Sequence, residues 1–139
     1  MSHANNGSCP KCQELFDKYP DFNHDLREWF EDFQGKHPSA HISCAGRGRI
    51  EQESDFHRGA SKAHFGQSAH NYGCAIDLFV MQSGLDLYDK NWFETVLAPN
   101  LEPWLEWYGA PGESFKELPH VEVRSWKSMV DDHLVLLVE

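Results

Sequence analysis

A chain of 139 residues is long enough for one domain with a buried core and short for two. Hydrophobic residues at 40% and aromatics at 13% exclude a disordered chain, and no apolar run is long enough to cross a bilayer, so no membrane insertion is expected. The formal net charge of −10 argues against nucleic acid, whose phosphates require clustered Lys and Arg.

Residues 1–8 are small and polar and are expected to fray. The stretch Met1 to Asn6 has no basic segment followed by an apolar one, so it does not read as a secretory signal. Cys9-Pro10-Lys11-Cys12 is a C-x-x-C pair, suited to a structural metal, a disulfide or a redox pair. No second C-x-x-C completes a four-thiolate site, and a metal here would need partners such as His3 or His24. Phe22, Leu26, Trp29, Phe30 and Phe33 form one face of an amphipathic helix, with Asp21 or Asn23 as its cap and Gly35 with Pro38 as its end. Ala40 to Ala45 alternates weakly as a strand until Gly46-Arg47-Gly48-Arg49 breaks it. A helix starts near Ile50 and is limited by Gly59, and residues 58–67 read as a loop.

Ala75 to Val80 reads as a strand between Gly73 and Gly84, with Ala75, Asp77 and Phe79 on one face. Cys44 and Cys74 sit in apolar contexts and read as buried small hydrophobes. The spacing of Trp92, Phe93, Val96 and Leu97 predicts a helix from Lys90 to Ala98. Pro99 and Pro103 then interrupt, so a second short helix or turn is expected before the loop at Gly109 to Gly112. His120 to Arg124 reads as a strand with His120 and Glu122 on one face, and Ser128 to Val138 as a final helix or strand.

An aspartate inside an apolar strand is costly to bury unpaired, so Asp77 needs a cation, a donor or a metal. His70 precedes it by seven residues, and Asn71-Tyr72-Gly73 opposes a helix between them. A tight turn at Gly73 can instead bring the imidazole back over Asp77. His120, from a neighbouring strand, would close a three-ligand zinc site with one position left for water. Glu117 approaches His120 across Pro119 and can take a proton from water and pass it to a leaving amine. Glu122 can accept the N–H of a ligating histidine. One His near one Asp also makes an ordinary structural hydrogen bond, and nine histidines make chance pairings easy, so spacing alone leaves both readings open. No H-E-x-x-H, G-x-S-x-G or G-x-x-x-x-G-K-[ST] stands in the chain. Apolar neighbours of Cys44 and Cys74 disfavour a thiolate nucleophile at either position.

The stretch Ser68-Ala69-His70-Asn71-Tyr72-Gly73-Cys74-Ala75-Ile76-Asp77 matches every fixed position of S-x-H-x-x-G-x-A-x-D. In this it resembles the zinc D-Ala-D-Ala metallopeptidases, which include VanY-type carboxypeptidases and the L-alanyl-D-glutamate endopeptidases that phages use as endolysins. Glu117-Leu118-Pro119-His120 looks like the family's second motif, in the Pro-His form of the endolysin branch, with Glu where that branch usually has Asp. Cys44 to Gln52 looks like its S-G-x-R-x-x-x-x-Q segment, with Cys44 and Ala45 in place of Ser and Gly and with Arg49 as a rival to Arg47. The resemblance runs from about Ile42 to Val123 and leaves Cys9 and Cys12 outside it.

The resemblance implies a small α+β domain, helices packed on an antiparallel sheet, with zinc in a cleft over it. The whole chain, 1–139, is then one peptidase domain. It implies that His70, Asp77 and His120 bind one catalytic Zn2+ and that Glu117 is the general base. Arg47 would polarise the scissile carbonyl or hold a substrate carboxylate, and Gln52 and Ser68 would position substrate. Cys9 and Cys12 leave room for a second, structural ion. The expected activity is hydrolysis of the L-Ala–D-Glu bond in the peptidoglycan stem peptide by a monomer. Such an enzyme would be made in a bacterial host's cytoplasm and act on the wall after release. A D-Ala-D-Ala carboxypeptidase or dipeptidase on the same scaffold is the nearest alternative. A non-catalytic zinc or wall-binding module, and a C-x-x-C oxidoreductase, are alternatives of other classes.

Overall fold

The computed structural model describes residues 3–109, 117–131 and 137. They form a small α+β domain whose helices and turns surround a four-stranded antiparallel sheet. The elements are α1 (Pro10–Asp17), α2 (His24–Lys36), β1 (Ala40–Cys44), α3 (Arg49–His57), β2 (Ala75–Val80), α4 (Lys90–Trp92), β3 (Leu105–Trp107), β4 (His120–Val123) and α5 (Trp126–Asp131). A single 3-10 turn, Ala69–Tyr72, precedes β2, and α4 runs on through a wide turn, Phe93–Leu97, to a tight one, Ala98–Asn100. Among the described residues, no helix is long and apolar enough to cross a membrane.

The sheet order is β1-β2-β4-β3, so β2 and β4 are central and β1 is an edge. Asp77 stands directly opposite His120 across the β2–β4 pair, and Ala75 opposite Glu122. Directly opposed residues share a face, so this register alone puts Asp77, His120 and Glu122 on one side of the sheet. The single methyl of Ala75 takes little of that face from the Glu122 carboxylate. Between β1 and β2 the register slips at Ser43, and Cys44 rather than Ser43 comes opposite Asp77. Such a bulge re-aims a side chain, here the Cys44 thiol, toward the Asp77 face.

The opposite face is apolar. Ile42, Ile76 and Leu78 join Phe16 of α1, Leu26 and Phe30 of α2 and Phe93 in one fully buried core. Helix α2 forms because its aromatic stripe recurs at helical spacing. Asn23 is its cap, with Oδ1 accepting from the Leu26 N–H at 2.9 Å. Gly35 does not end this helix, which continues to Lys36.

Two further expectations are corrected, and one element is new. Residues 3–8 do not fray: His3 and Asn5 pack against β1 and its neighbours. The segment after Pro103 forms β3 rather than a helix or turn, because Leu105 and Trp107 bury on one side while their backbone pairs with β4. Helix α1, unforeseen, starts at Pro10 with Cys9 as its cap. Of the final segment, the structure describes a helix to Asp131. Residues 132–136, 138 and 139, and residues 110–116, which include 110–112 of the expected loop, lie outside the described residues.

Gly73 ends the 69–72 turn at φ +67°, and a Cβ there would come 2.8 Å from the Phe22 Cα. Gly59 has φ +79° but open space around it. Gly73→Ala is therefore expected to lower unfolding free energy by about 2–4 kcal/mol, through strain plus a backbone clash. Gly59→Ala should cost only about 1 kcal/mol, from the left-handed conformation. Urea midpoints of the two variants check this, and equal losses would refute the steric account.

Candidate active site

The 69–72 turn delivers His70. Ser68 caps it, its hydroxyl accepting from the His70 N–H at 3.2 Å. Asn71 closes the box from inside: its Oδ1 accepts the N–H groups of Gly66 and Ser68, and its Nδ2 donates to the Arg47 carbonyl and to Gln52 Oε1. The imidazole of His70 is buried, with Nδ1 3.2 Å from the Ala45 carbonyl. A carbonyl can only accept, so Nδ1 carries the proton and Nε2 presents a lone pair. His120 is fixed from the other side. Its Nε2 lies 2.7 Å from Glu122 Oε1, so Nε2–H donates to the carboxylate and Nδ1 is left bare. Glu122 is itself held by Tyr108 Oη and Trp126 Nε1, each donating to Oε2 at 2.8 Å.

The two bare nitrogens, His70 Nε2 and His120 Nδ1, each stand 3.3 Å from Asp77 Oδ1. These three atoms are buried, and none has a hydrogen-bond partner among the described residues. Two N or O ligands on one zinc ion at about 2.0–2.1 Å and the tetrahedral angle are separated by about 3.3 Å. The residues present therefore fit a metal: three orphaned atoms of the right chemistry meet, each histidine nitrogen at the spacing of a co-ligand from Asp77 Oδ1, and each imidazole is oriented by a partner on its far nitrogen. Glu117 joins them, with ligating atoms of Asp77, Glu117 and His120 within 4.8 Å of one another. A turn closed by the His120 N–H on the Glu117 carbonyl, at 3.2 Å, holds it there.

The site opens into a cleft of about 520 Å³ lined by Arg47, Ser68, His70, Tyr108, Glu117 and His120, with residues 59–63 along its wall. Arg47 is held by Asp55 at 3.3 Å and lies 3.7 Å from Asp77 Oδ2. Arg49 instead stacks on the Phe65 ring, which leaves Arg47 as the arginine of this cleft. Gln52 does not line the cleft. It is fully buried beneath it, its amide spent on Arg47, Asn71, Ser61 and the Ala63 carbonyl. Cys44 is also not the inert hydrophobe expected: its Sγ lies 3.7 Å from His70 Nδ1 and 3.8 Å from Arg47 Nη2. Cys74 is buried as expected. Sequence reasoning missed Asn71, Asp55, Tyr108 and Trp126. Only Asn71 carried a signal, as the third residue of a turn capped by Ser68. A second cleft of about 470 Å³, between Pro38 and Trp92, holds none of these groups.

Burial opposes charge on both histidines, but Asp77 outweighs it and raises the His70 and His120 pKa above the ordinary value of 6.5. Burial likewise opposes the Asp77 carboxylate, yet the adjacent His70 and His120 hold its pKa below 3.8. A raised histidine pKa contributes stability that is complete below 6.5 and is lost as pH rises through the folded value. A lowered aspartate pKa contributes stability that is complete above 3.8 and is lost as pH falls through the folded value. The chelator-treated protein is therefore expected to gain most from this cluster between those limits, and Asp77→Asn should flatten both limbs. Zinc, which needs deprotonated imidazoles, should move the optimum to higher pH. Urea midpoints against pH, with and without zinc, test this. A metal-free midpoint that climbs through neutral pH would contradict it.

No family model matches the sequence, and no curated protein matches it. Among solved structures, the chain is similar to the L-Ala D-Glu endopeptidase ChiX of Serratia marcescens. The TM-score is 0.67 at 17% identity, over 86% of this chain and 90% of that one. At this identity the likeness is one of fold.

Proposed function

We propose that this chain is a zinc-dependent peptidoglycan endopeptidase that hydrolyses the L-Ala–D-Glu bond of the stem peptide. The observation that carries the reading is the convergence of His70 Nε2, Asp77 Oδ1 and His120 Nδ1, all buried and orphaned, beside Glu117 at the floor of an open cleft. The shared fold with a protein described as an L-Ala D-Glu endopeptidase supports the choice of bond.

When bound, zinc supplies a Lewis acid that polarises a carbonyl and makes water acidic near neutral pH. The remaining chemistry belongs to the chain. His70, Asp77 and His120 hold the ion, and Ala45 and Glu122 keep both imidazoles in the ligating tautomer. Glu117 accepts the proton of the attacking water and returns it to the leaving amine, the carboxylate thus serving as base and then acid. Arg47 keeps a cation in the cleft wall, where it can hold a substrate carboxylate or an oxygen that gains charge in the transition state. Ser68 lines the cleft but spends its hydroxyl as the cap of the His70 turn. Gln52 acts at one remove, by steadying Arg47.

Purified muropeptides test the reading. The expected products are a fragment ending in L-Ala and a peptide beginning with D-Glu. Glu117→Gln should lower kcat by about 10²–10⁴-fold while zinc content stays unchanged. Release of free D-Ala with no new L-Ala terminus would replace the proposal with a carboxypeptidase. Wall binding without hydrolysis, unaffected by Glu117→Gln, would replace it with a binding module.

A further inference from the structure

At the outer edge of β1, away from the cleft, four potential ligands come together that the proposed reaction does not use. The Nδ1 atom of His3 lies 3.2 Å from Cys9 Sγ and 3.6 Å from Cys12 Sγ, and His41 Nδ1 lies 3.7 Å from Cys12 Sγ. One ligating atom from each of the four residues falls within 4.8 Å of all the others. Cys9, Cys12 and His41 are fully buried, and both cysteines are free thiols. We propose that His3, Cys9, Cys12 and His41 form a structural zinc site that clamps the N-terminal segment and α1 onto the edge strand β1.

The geometry supports a closed tetrahedral site. A sulfur about 2.3 Å and a nitrogen about 2.0 Å from one zinc ion, at the tetrahedral angle, stand roughly 3.5 Å apart. The three sulfur–nitrogen distances bracket that value. Two thiolates with two imidazoles is a donor set that selects zinc, and four protein ligands leave no position for water.

The surroundings are built for ligation as well. Asn5 donates its amide N–H to the Met81 carbonyl, so its Oδ1 faces His41 Nε2 at 2.5 Å as an acceptor. Nε2 of His41 therefore carries the proton, and Nδ1 turns a lone pair toward Cys12. Cys12 Sγ accepts the Ile42 N–H at 3.4 Å and the Gln34 amide at 3.6 Å. Cys9 Sγ accepts the Cys12 N–H at 3.4 Å, at the start of α1. Donors aimed at both sulfurs can stay in place while the sulfurs ligate a metal ion, and so hold them in position for it. The same contacts cover the edge of the sheet. Cys12 takes the Ile42 N–H, and Gln34 takes the Ala40 carbonyl at 2.7 Å, so β1 offers a second strand little to pair with. On binding, each thiol releases a proton to solvent and each imidazole enters neutral.

Metal content of the purified full chain tests the site independently of the catalytic reading. Two zinc equivalents are expected in the wild type, one in His70→Ala and one in Cys12→Ser. His3→Ala removes a half-buried N-terminal ligand that lies outside the apolar core and packs against the Phe79 ring, and should weaken the second equivalent without unfolding the chain. In the wild type, titrating the thiols with an organomercurial should release one equivalent to a chromogenic chelator. Replacement of both ions by cobalt should give a thiolate-to-metal charge-transfer band that survives Cys44→Ser and is absent from Cys12→Ser. A single equivalent that His70→Ala abolishes, or a Cys9–Cys12 disulfide in protein purified without oxidant, overturns the clamp. Loss of metal from Cys12→Ser but none from His70→Ala supports the clamp and sinks the catalytic centre.

Discussion

The structure turns on one buried carboxylate oxygen. Asp77 Oδ1 sits between two imidazole nitrogens, and none of the three has an ordinary partner among the described residues. An arrangement of this kind costs free energy wherever neither a metal ion nor protons on the imidazoles fill it, and the rest of the fold must hold it against that cost. The register of β2 on β4 fixes Asp77 beside His120, and the turn ending at Gly73 brings His70 over both. Each imidazole is then locked by a partner that accepts its other proton. A site assembled from three rigid connections is preorganised, and little reorganisation remains for ligand binding.

Behind this centre lies a polar scaffold with no direct access to solvent. Asn71 and Gln52 are fully buried, yet each satisfies both ends of its amide. Together they tie the 66–71 segment to the Arg47 backbone and side chain, so the histidine turn and the cleft arginine move as one unit. Burying two amides is tolerable only because every donor and acceptor is matched, and a partial replacement would leave an orphan in the interior.

Much of this was legible in the sequence because it is local. The α2 stripe, its Asn23 cap and the short apolar run of β2 announce themselves through period and punctuation. The His70–Gly73–Asp77 spacing carries its own turn, since only a residue at ease with positive φ can reverse the chain that tightly. What could not be read depends on partners far away in sequence. The three residues of β3 become a strand by pairing with β4, after a segment whose prolines suggest only interruption. Helix α1 buries just Cys12 and Phe16, too few positions to set a period. Residues 3–8 look like a fraying end until His41 and Met81 supply contacts for them. Gln52 looked like a cleft residue because its type suits substrate, whereas its position under Arg47 makes it scaffold.

The register between β2 and β4 also bears on the order in which the protein comes into being. His70 and Asp77 leave the ribosome close together, but His120 belongs to a strand made much later, and Leu137 must follow before its backbone N–H can reach the Asn71 carbonyl at 2.7 Å. Non-local strand pairing of this kind cannot be completed by a partial chain. Until His120 emerges, a nascent polypeptide carries two of the three converging donors, with the β4 side of β2 still unpaired. The centre closes only once β4 has been made, so chains terminated before His120 are born without it.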